Sequence, residues 1–169
     1  MELPNRKPTR LKGFDYSVPG AYFVTVCTHN RKRILSNIVG AIHESPENKL
    51  TSRGEIVKDI IENLPKRFGV KIDKYVIMPN HIHLIVVVTY DEERAIRESP
   101  LQCQRSIVSN VIGYLKMNAS KQIHSENPGE KIWQRSFHDH IIRNEKDYLK
   151  IWDYIDTNVL CWEKDCFYE

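Results

Sequence analysis

The spacing of apolar positions changes several times along the chain, and each change marks a predicted element. Residues 21–28, AYFVTVCT, are rich in β-branched and aromatic side chains and predict a strand. Between Arg33 and Leu50 the apolar positions Ile34, Leu35, Ile38, Val39 and Ile42 follow no single period. Short strands around turns at Ser36-Asn37 and Ser45-Pro46-Glu47-Asn48 are expected there. From Gly54 the period lengthens. Ile56, Val57, Ile60, Ile61 and Leu64 share one helical stripe, with Pro65 and Gly69 expected to close it. Two β-prone runs follow, VKIDKYVIM (70–78) and HLIVVVT (83–89), separated by Pro79-Asn80-His81-Ile82. They predict antiparallel neighbours, the second of them central in a sheet. Residues 90–103 are polar and read as a loop. A helix is expected from about Arg105 to His124, on Ile107, Val108, Val111, Ile112, Leu115 and Ala119. After a turn at Asn127-Pro128-Gly129, residues 131–143 alternate as a strand would. Asn144, with Asp147 three residues on, predicts the N-cap of a last helix running to about Thr157.

This order is strand, helix, strand, strand, helix, strand, helix. It lacks regular βαβ alternation and predicts an α+β fold: a ferredoxin-like antiparallel sheet with helices packed on it and an added C-terminal helix. A chain of 169 residues without repeats predicts a single domain over 1–169. No apolar run reaches the ~18 residues that cross a bilayer, and the basic start MELPNRKPTRLKG has no apolar core behind it. The four cysteines are scattered without a CxxC pair, which argues against a zinc ribbon or a disulfide framework and for a cytoplasmic setting. Net charge is only +3, but it is unevenly spread. Residues 1–40 carry seven basic side chains (Arg6, Lys7, Arg10, Lys12, Arg31, Lys32, Arg33) against Glu2 and Asp15, a net of +5. A basic N-terminal third on a near-neutral body is the footprint of a local polyanion contact or of a solvated basic surface.

Two patterns carry candidate chemistry. His81-Ile82-His83 places two imidazoles at i and i+2, on one face of a strand, where both reach a single divalent ion. Two such rings buried on an apolar strand without partners would be costly, and a third ligand would have to join them. On the last helix, Tyr148, Ile151, Trp152 and Ile155 form the apolar stripe. Tyr154 lies off it, one turn after Lys150 and one turn before Asn158. A flank of that helix therefore presents lysine, phenol and amide in a row. His138 and His140 also share a strand face, and His138 is read as surface.

The string MPNHIHLIVVV, followed by IWQRSFHDHIIRNEKDYLKIWDYIDTN, resembles the REP-associated tyrosine transposases, single-tyrosine HUH enzymes of the IS200-like group. The likeness extends to RLKGFDYSVPGAYFVTVCTHNR near the start and CWEKDCFYE at the close. It implies a ferredoxin-like fold, Mg²⁺ or Mn²⁺ held by His81 and His83, and Tyr154 as nucleophile, with Lys150 favouring the phenolate. Asn158 matches the residue that in related enzymes is the third ligand, although Val159 follows it where the family has proline. The resemblance also implies a bacterial, cytoplasmic transposase that cleaves and rejoins single-stranded DNA carrying palindromic repeat hairpins, as a monomer or homodimer. Arg6, Lys7, Arg10, Arg31 and Arg33 are the candidate phosphate contacts, joined by Gln134, Arg135, His140 and Arg143 near the last strand. Two other readings stay open: a catalytically inactive nucleic-acid-binding module, and a metal-dependent phosphoesterase with water as nucleophile.

Overall fold

A computed structural model describes residues 18–40, 46–89, 106–126 and 128–168. Its elements are β1 (Gly20–Cys27), β2 (Ser36–Val39), β3 (Glu47–Leu50), α1 (Ser52–Phe68), β4 (Val70–Ile77), β5 (His81–Val88), α2 (Ile107–Glu126), β6 (His138–Ile142) and α3 (Glu145–Thr157). Four strands form one antiparallel sheet in the order β4-β5-β1-β6, while β2 and β3 pair as a separate hairpin. With α1 between β1 and β4, and α2 between β5 and β6, this is the expected ferredoxin-like α+β arrangement.

Alternation along the two central strands divides the interior into two layers. Tyr22, Val24 and Val26 of β1 and Ile82, Leu84, Val86 and Val88 of β5 point to one face, where α1 and α2 cover them with Val57, Ile61, Leu64, Val111, Ile112 and Leu115. The other face carries Phe23, Ile85 and Val87 and receives α3 through Ile151 and Ile155. The imidazoles of His81 and His83 share the parity of Ile85 and so lie on the α3 side.

Capping sets the helix limits. Thr51 caps α1 by accepting from Gly54 N–H at 3.2 Å, while its hydroxyl also faces the Ile34 and Leu35 carbonyls at 2.7 and 3.0 Å. Gly69, at φ +60°, ends α1 in the left-handed region. Helix α1 thus begins two residues before Gly54, and Pro65 sits inside its last turn rather than ending it. Asn144 caps α3 as expected, accepting from Asp147 N–H at 2.9 Å.

Further boundaries differ from the sequence reading, Glu47 and Asn48 among them, which open β3 rather than a turn. β5 starts at His81, because Met78 N–H donates to the His81 carbonyl at 2.8 Å and Ile77 pairs with Ile82, which leaves only Met78-Pro79-Asn80 as the connection. Ser36 and Asn37 belong to β2, not to a turn. Of residues 131–143 only His138–Ile142 form a strand. The preceding stretch makes a single bridge, Trp133 with Thr28, and its carbonyls at Gln134, Arg135 and Ser136 turn aside to surround Lys116 Nζ. The polar segment 90–103 lies outside the described residues, as do Arg6, Lys7 and Arg10.

Candidate active site

Strand pairing sets the first part of the site. In the β1–β5 register Thr25 stands opposite His83 and Cys27 opposite His81. Thr25 Oγ1 lies 2.8 Å from His83 Nδ1, and Asn80 Oδ1 lies 2.8 Å from His81 Nδ1. Asn80 is held in turn through its Nδ2–H, which donates to the Phe167 carbonyl at 2.7 Å. Each imidazole is therefore oriented through Nδ1; at His81, where the partner is an amide oxygen that can only accept, this places the proton on Nδ1 and turns the Nε2 lone pair inward. Both rings are fully buried, with centroids 4.4 Å apart.

Helix α3 supplies the second part. With Ile151 and Ile155 seated on the sheet, the Tyr154 ring stands at the edge of Phe23, and its hydroxyl comes to 3.2 Å from His83 Nε2. Tyr154 remains 37% exposed, so an extended ligand can reach the phenol from solvent. One turn on, Asn158 is buried. The chain then folds back through a 3-10 turn at Trp162–Lys164, laying Trp162 and Phe167 against His81 at centroid distances of 5.9 and 4.7 Å.

That return brings in Asp165, which the sequence reading did not single out. Its Oδ2 accepts from the Tyr154 hydroxyl at 3.0 Å and from Asn158 Nδ2–H at 2.9 Å, and its Oδ1 accepts from Phe167 N–H at 2.7 Å. One potential ligand atom from each of His81, His83 and Asp165 lies within 4.8 Å of the others. No helical or strand spacing links residue 165 to 81 and 83; its only sequence signal is its place in the closing string CWEKDCFYE.

The donors fit a divalent cation. Burial pushes the His81 imidazole down to about 4, against the opposing pull of Asp165, and burial with the neighbouring His81 holds His83 well below its ordinary value. Both rings are therefore neutral near pH 7, the ligating form. His81 Nε2 and Asn158 Oδ1 are buried without a hydrogen-bond partner, a costly state that a coordinated cation would relieve. Burial, and after it the Asp165 carboxylate, push the Tyr154 phenol above its ordinary value.

The remaining candidates are distributed differently. Lys150 is exposed, and its charge acts on Asp147. His140 is also exposed and pairs with Asp147 at 2.8 Å. Arg31 reaches the Cys166 carbonyl at 3.4 Å and lies over the Phe167 ring, while Arg33 lies over Trp162 and Tyr168. These two arginines thus pack on the returning C-terminal segment. Arg135 and Arg143 are exposed, and Gln134 is half-buried. Trp133 is core, and Tyr148 donates to Asp73 at 2.5 Å, away from the imidazoles.

No family model matches the chain. An uncharacterized protein of Haemophilus influenzae is 31% identical to it, the alignment covering 98% of this chain and 94% of that one. In structure the chain is similar to a REP-associated tyrosine transposase bound to a REP hairpin, with a TM-score of 0.61 and 21% identity over 89% of this chain and 73% of the other. Among the described residues no helix is long and apolar enough to cross a membrane.

Proposed function

This chain belongs to one family with the Haemophilus influenzae protein and carries the fold of a REP-associated tyrosine transposase, and on that premise we propose that it cleaves and rejoins single-stranded DNA through Tyr154. One observation carries the reading: the partly exposed Tyr154 hydroxyl stands 3.2 Å from His83 Nε2, at the edge of the His81–His83–Asp165 group.

His81, His83 and Asp165 would hold the metal, with Asn158 Oδ1 as a further donor. Mixed nitrogen and oxygen donors suit Mn²⁺ better than Mg²⁺, which prefers oxygen alone. Bound there, a divalent cation supplies positive charge against the non-bridging oxygens of the scissile phosphate. The rest is the work of the side chains. Tyr154 Oη attacks phosphorus, forming a Tyr–O–P bond as the P–O3′ bond breaks; the 5′-phosphate stays on the protein, and the departing 3′-oxygen takes a proton from water to leave as a 3′-hydroxyl. The phenol is protonated at neutral pH, and Asp165 Oδ2, already accepting its hydrogen bond, is the acceptor for the departing proton. Attack by a 3′-hydroxyl on the phosphotyrosine reverses the bonds and rejoins a strand. Asn158 orients Asp165, and Thr25 and Asn80 orient the imidazoles. The substrate that fits this reading is a hairpin with single-stranded flanks, in keeping with the REP hairpin bound by the similar transposase.

The test is strand cleavage of a labelled hairpin oligonucleotide with unpaired flanks, in Mn²⁺ and in EDTA, with H₂¹⁸O as solvent. Cleavage in Mn²⁺ alone, without ¹⁸O in the new phosphate end of the first turnover, supports the proposal. Direct incorporation of ¹⁸O would transfer the reaction to a water nucleophile and a phosphoesterase.

A further inference from the structure

A second concavity lies behind Trp162. Strand β2 and the segment that leaves α3 line a cavity of about 320 Å³, with Arg33, Ile38, Leu160, Trp162, Glu163, Lys164 and Tyr168 among its walls. Trp162 is a shared wall, since the same indole packs on His81. Tyr168 and Leu160 are 42% and 59% exposed, so the cavity is open at its rim. The Arg33 guanidinium stands 4.8 Å from the Tyr168 ring centroid and 5.7 Å from that of Trp162.

An accessible phenol ring, a guanidinium plane beside it, an apolar side at Ile38 and Leu160 and a lysine at the mouth make up a set that stacks an unpaired base and meets its phosphate. The volume admits one nucleotide unit and excludes a duplex. Arg33, which charge marks as a candidate phosphate contact, lies against two rings, where it can serve as part of a stacking platform. Trp162 both lines this space and packs on His81, so a base seated here would belong to a nucleotide near the one presented to Tyr154.

We propose that this cavity is a nucleobase subsite, which holds one unpaired base adjoining the scissile phosphate against Tyr168 and Arg33. The inference rests on the reading of the His81–His83–Tyr154 group as a DNA-cleaving centre. It assigns recognition of the single-stranded flank, rather than of the hairpin stem, to the C-terminal segment.

The test uses the full chain and a hairpin oligonucleotide with unpaired flanks, in EDTA so that binding is read without cleavage. An abasic residue is placed at each unpaired position in turn. For the unaltered protein, one position beside the cleavage point should lose affinity about tenfold when abasic. Tyr168→Ala, which removes the platform, and Leu160→Trp, which fills the cavity from an exposed rim position, should each weaken binding of the intact strand by a similar factor. Each should also abolish the difference between intact and abasic strands, whereas Tyr168→Phe should preserve it. Should Tyr168→Ala fail to fold, Leu160→Trp still decides. The proposal is overturned if no flank position responds in the unaltered protein, or if the response persists undiminished in both variants. A covalent adduct on Tyr154 without any abasic response sinks the subsite alone. An abasic response without an adduct under Mn²⁺ sinks the cleavage reading and leaves the cavity as a binding site.

Discussion

Replacing Thr25 with valine would test whether the imidazoles are positioned from behind. Thr25 is 4% exposed, and its Oγ1 lies 2.8 Å from His83 Nδ1. Valine keeps the branched shape at Cβ and removes the one group that meets Nδ1. The buried His83 Nδ1 is then unsatisfied, which costs about 1–3 kcal/mol; in a domain of this size that lowers Tm by roughly 2–4 °C per kcal/mol. The larger effect falls on the metal. Without a partner at Nδ1 the ring loses the contact that holds its orientation, so Mn²⁺ affinity should fall about 10–100-fold. Thr25→Ser keeps the hydroxyl and should bind Mn²⁺ nearly as the unaltered protein does. Isothermal titration with MnCl₂, alongside thermal unfolding in EDTA, reads the two effects separately. If Thr25→Val bound Mn²⁺ as tightly as Thr25→Ser while showing the expected loss of stability, the hydrogen bond would be structural only and the orienting role would be refuted.

Removing either ligand side chain, by His81→Ala or His83→Ala, should abolish strand cleavage and leave DNA binding largely intact, as should EDTA; gel-shift and cleavage assays on the same samples check this. Gly54→Ala should cost about 3 kcal/mol, because a Cβ there would stand 2.1 Å from the Leu35 carbonyl oxygen, a backbone atom that must move; denaturant unfolding reads it. Neutralising Arg6, Lys7 and Arg10 together should flatten the salt dependence of DNA binding by a log–log slope of up to about 2–3, the value if all three meet phosphate. An unchanged slope would place the phosphate contacts elsewhere.

The parts of the molecule that follow local rules were legible in the chain. The period-2 alternation of HIHLIVVV placed both imidazoles on one face of a central strand, and the Asn144 cap with the Ile151–Ile155 stripe set the rotation of α3, leaving Tyr154 off the packed side. What could not be read was decided by contacts between distant segments. Asp165 reaches the site only because the chain reverses after Asn158 and stacks Trp162 and Phe167 on His81, and no periodicity encodes such a return. Likewise the alternation in KIWQRSFHDHIIR was a true signal for His138–Ile142 alone. In its first half the buried Ile132 and Trp133 answer to packing beside β1, while the carbonyls from Gln134 to Ser136 turn toward Lys116. Charge marks Arg31 and Arg33 as candidate phosphate contacts, whereas their stacking over aromatic rings is invisible in a sequence and is supplied by the structure.

The identity of the nucleophile is the claim on which the functional reading turns. Tyr154→Phe removes one hydroxyl and keeps the ring against Phe23, so stability should change by no more than about 1 kcal/mol and DNA binding should survive. With labelled single-stranded DNA and Mn²⁺, the unaltered protein should yield a denaturation-resistant adduct whose peptide map places the 5′-phosphate on Tyr154, and Tyr114→Phe and Tyr148→Phe should yield the same. Tyr154→Phe should yield none. An adduct of undiminished amount in Tyr154→Phe, or one mapped to another residue in the unaltered protein, would contradict the account.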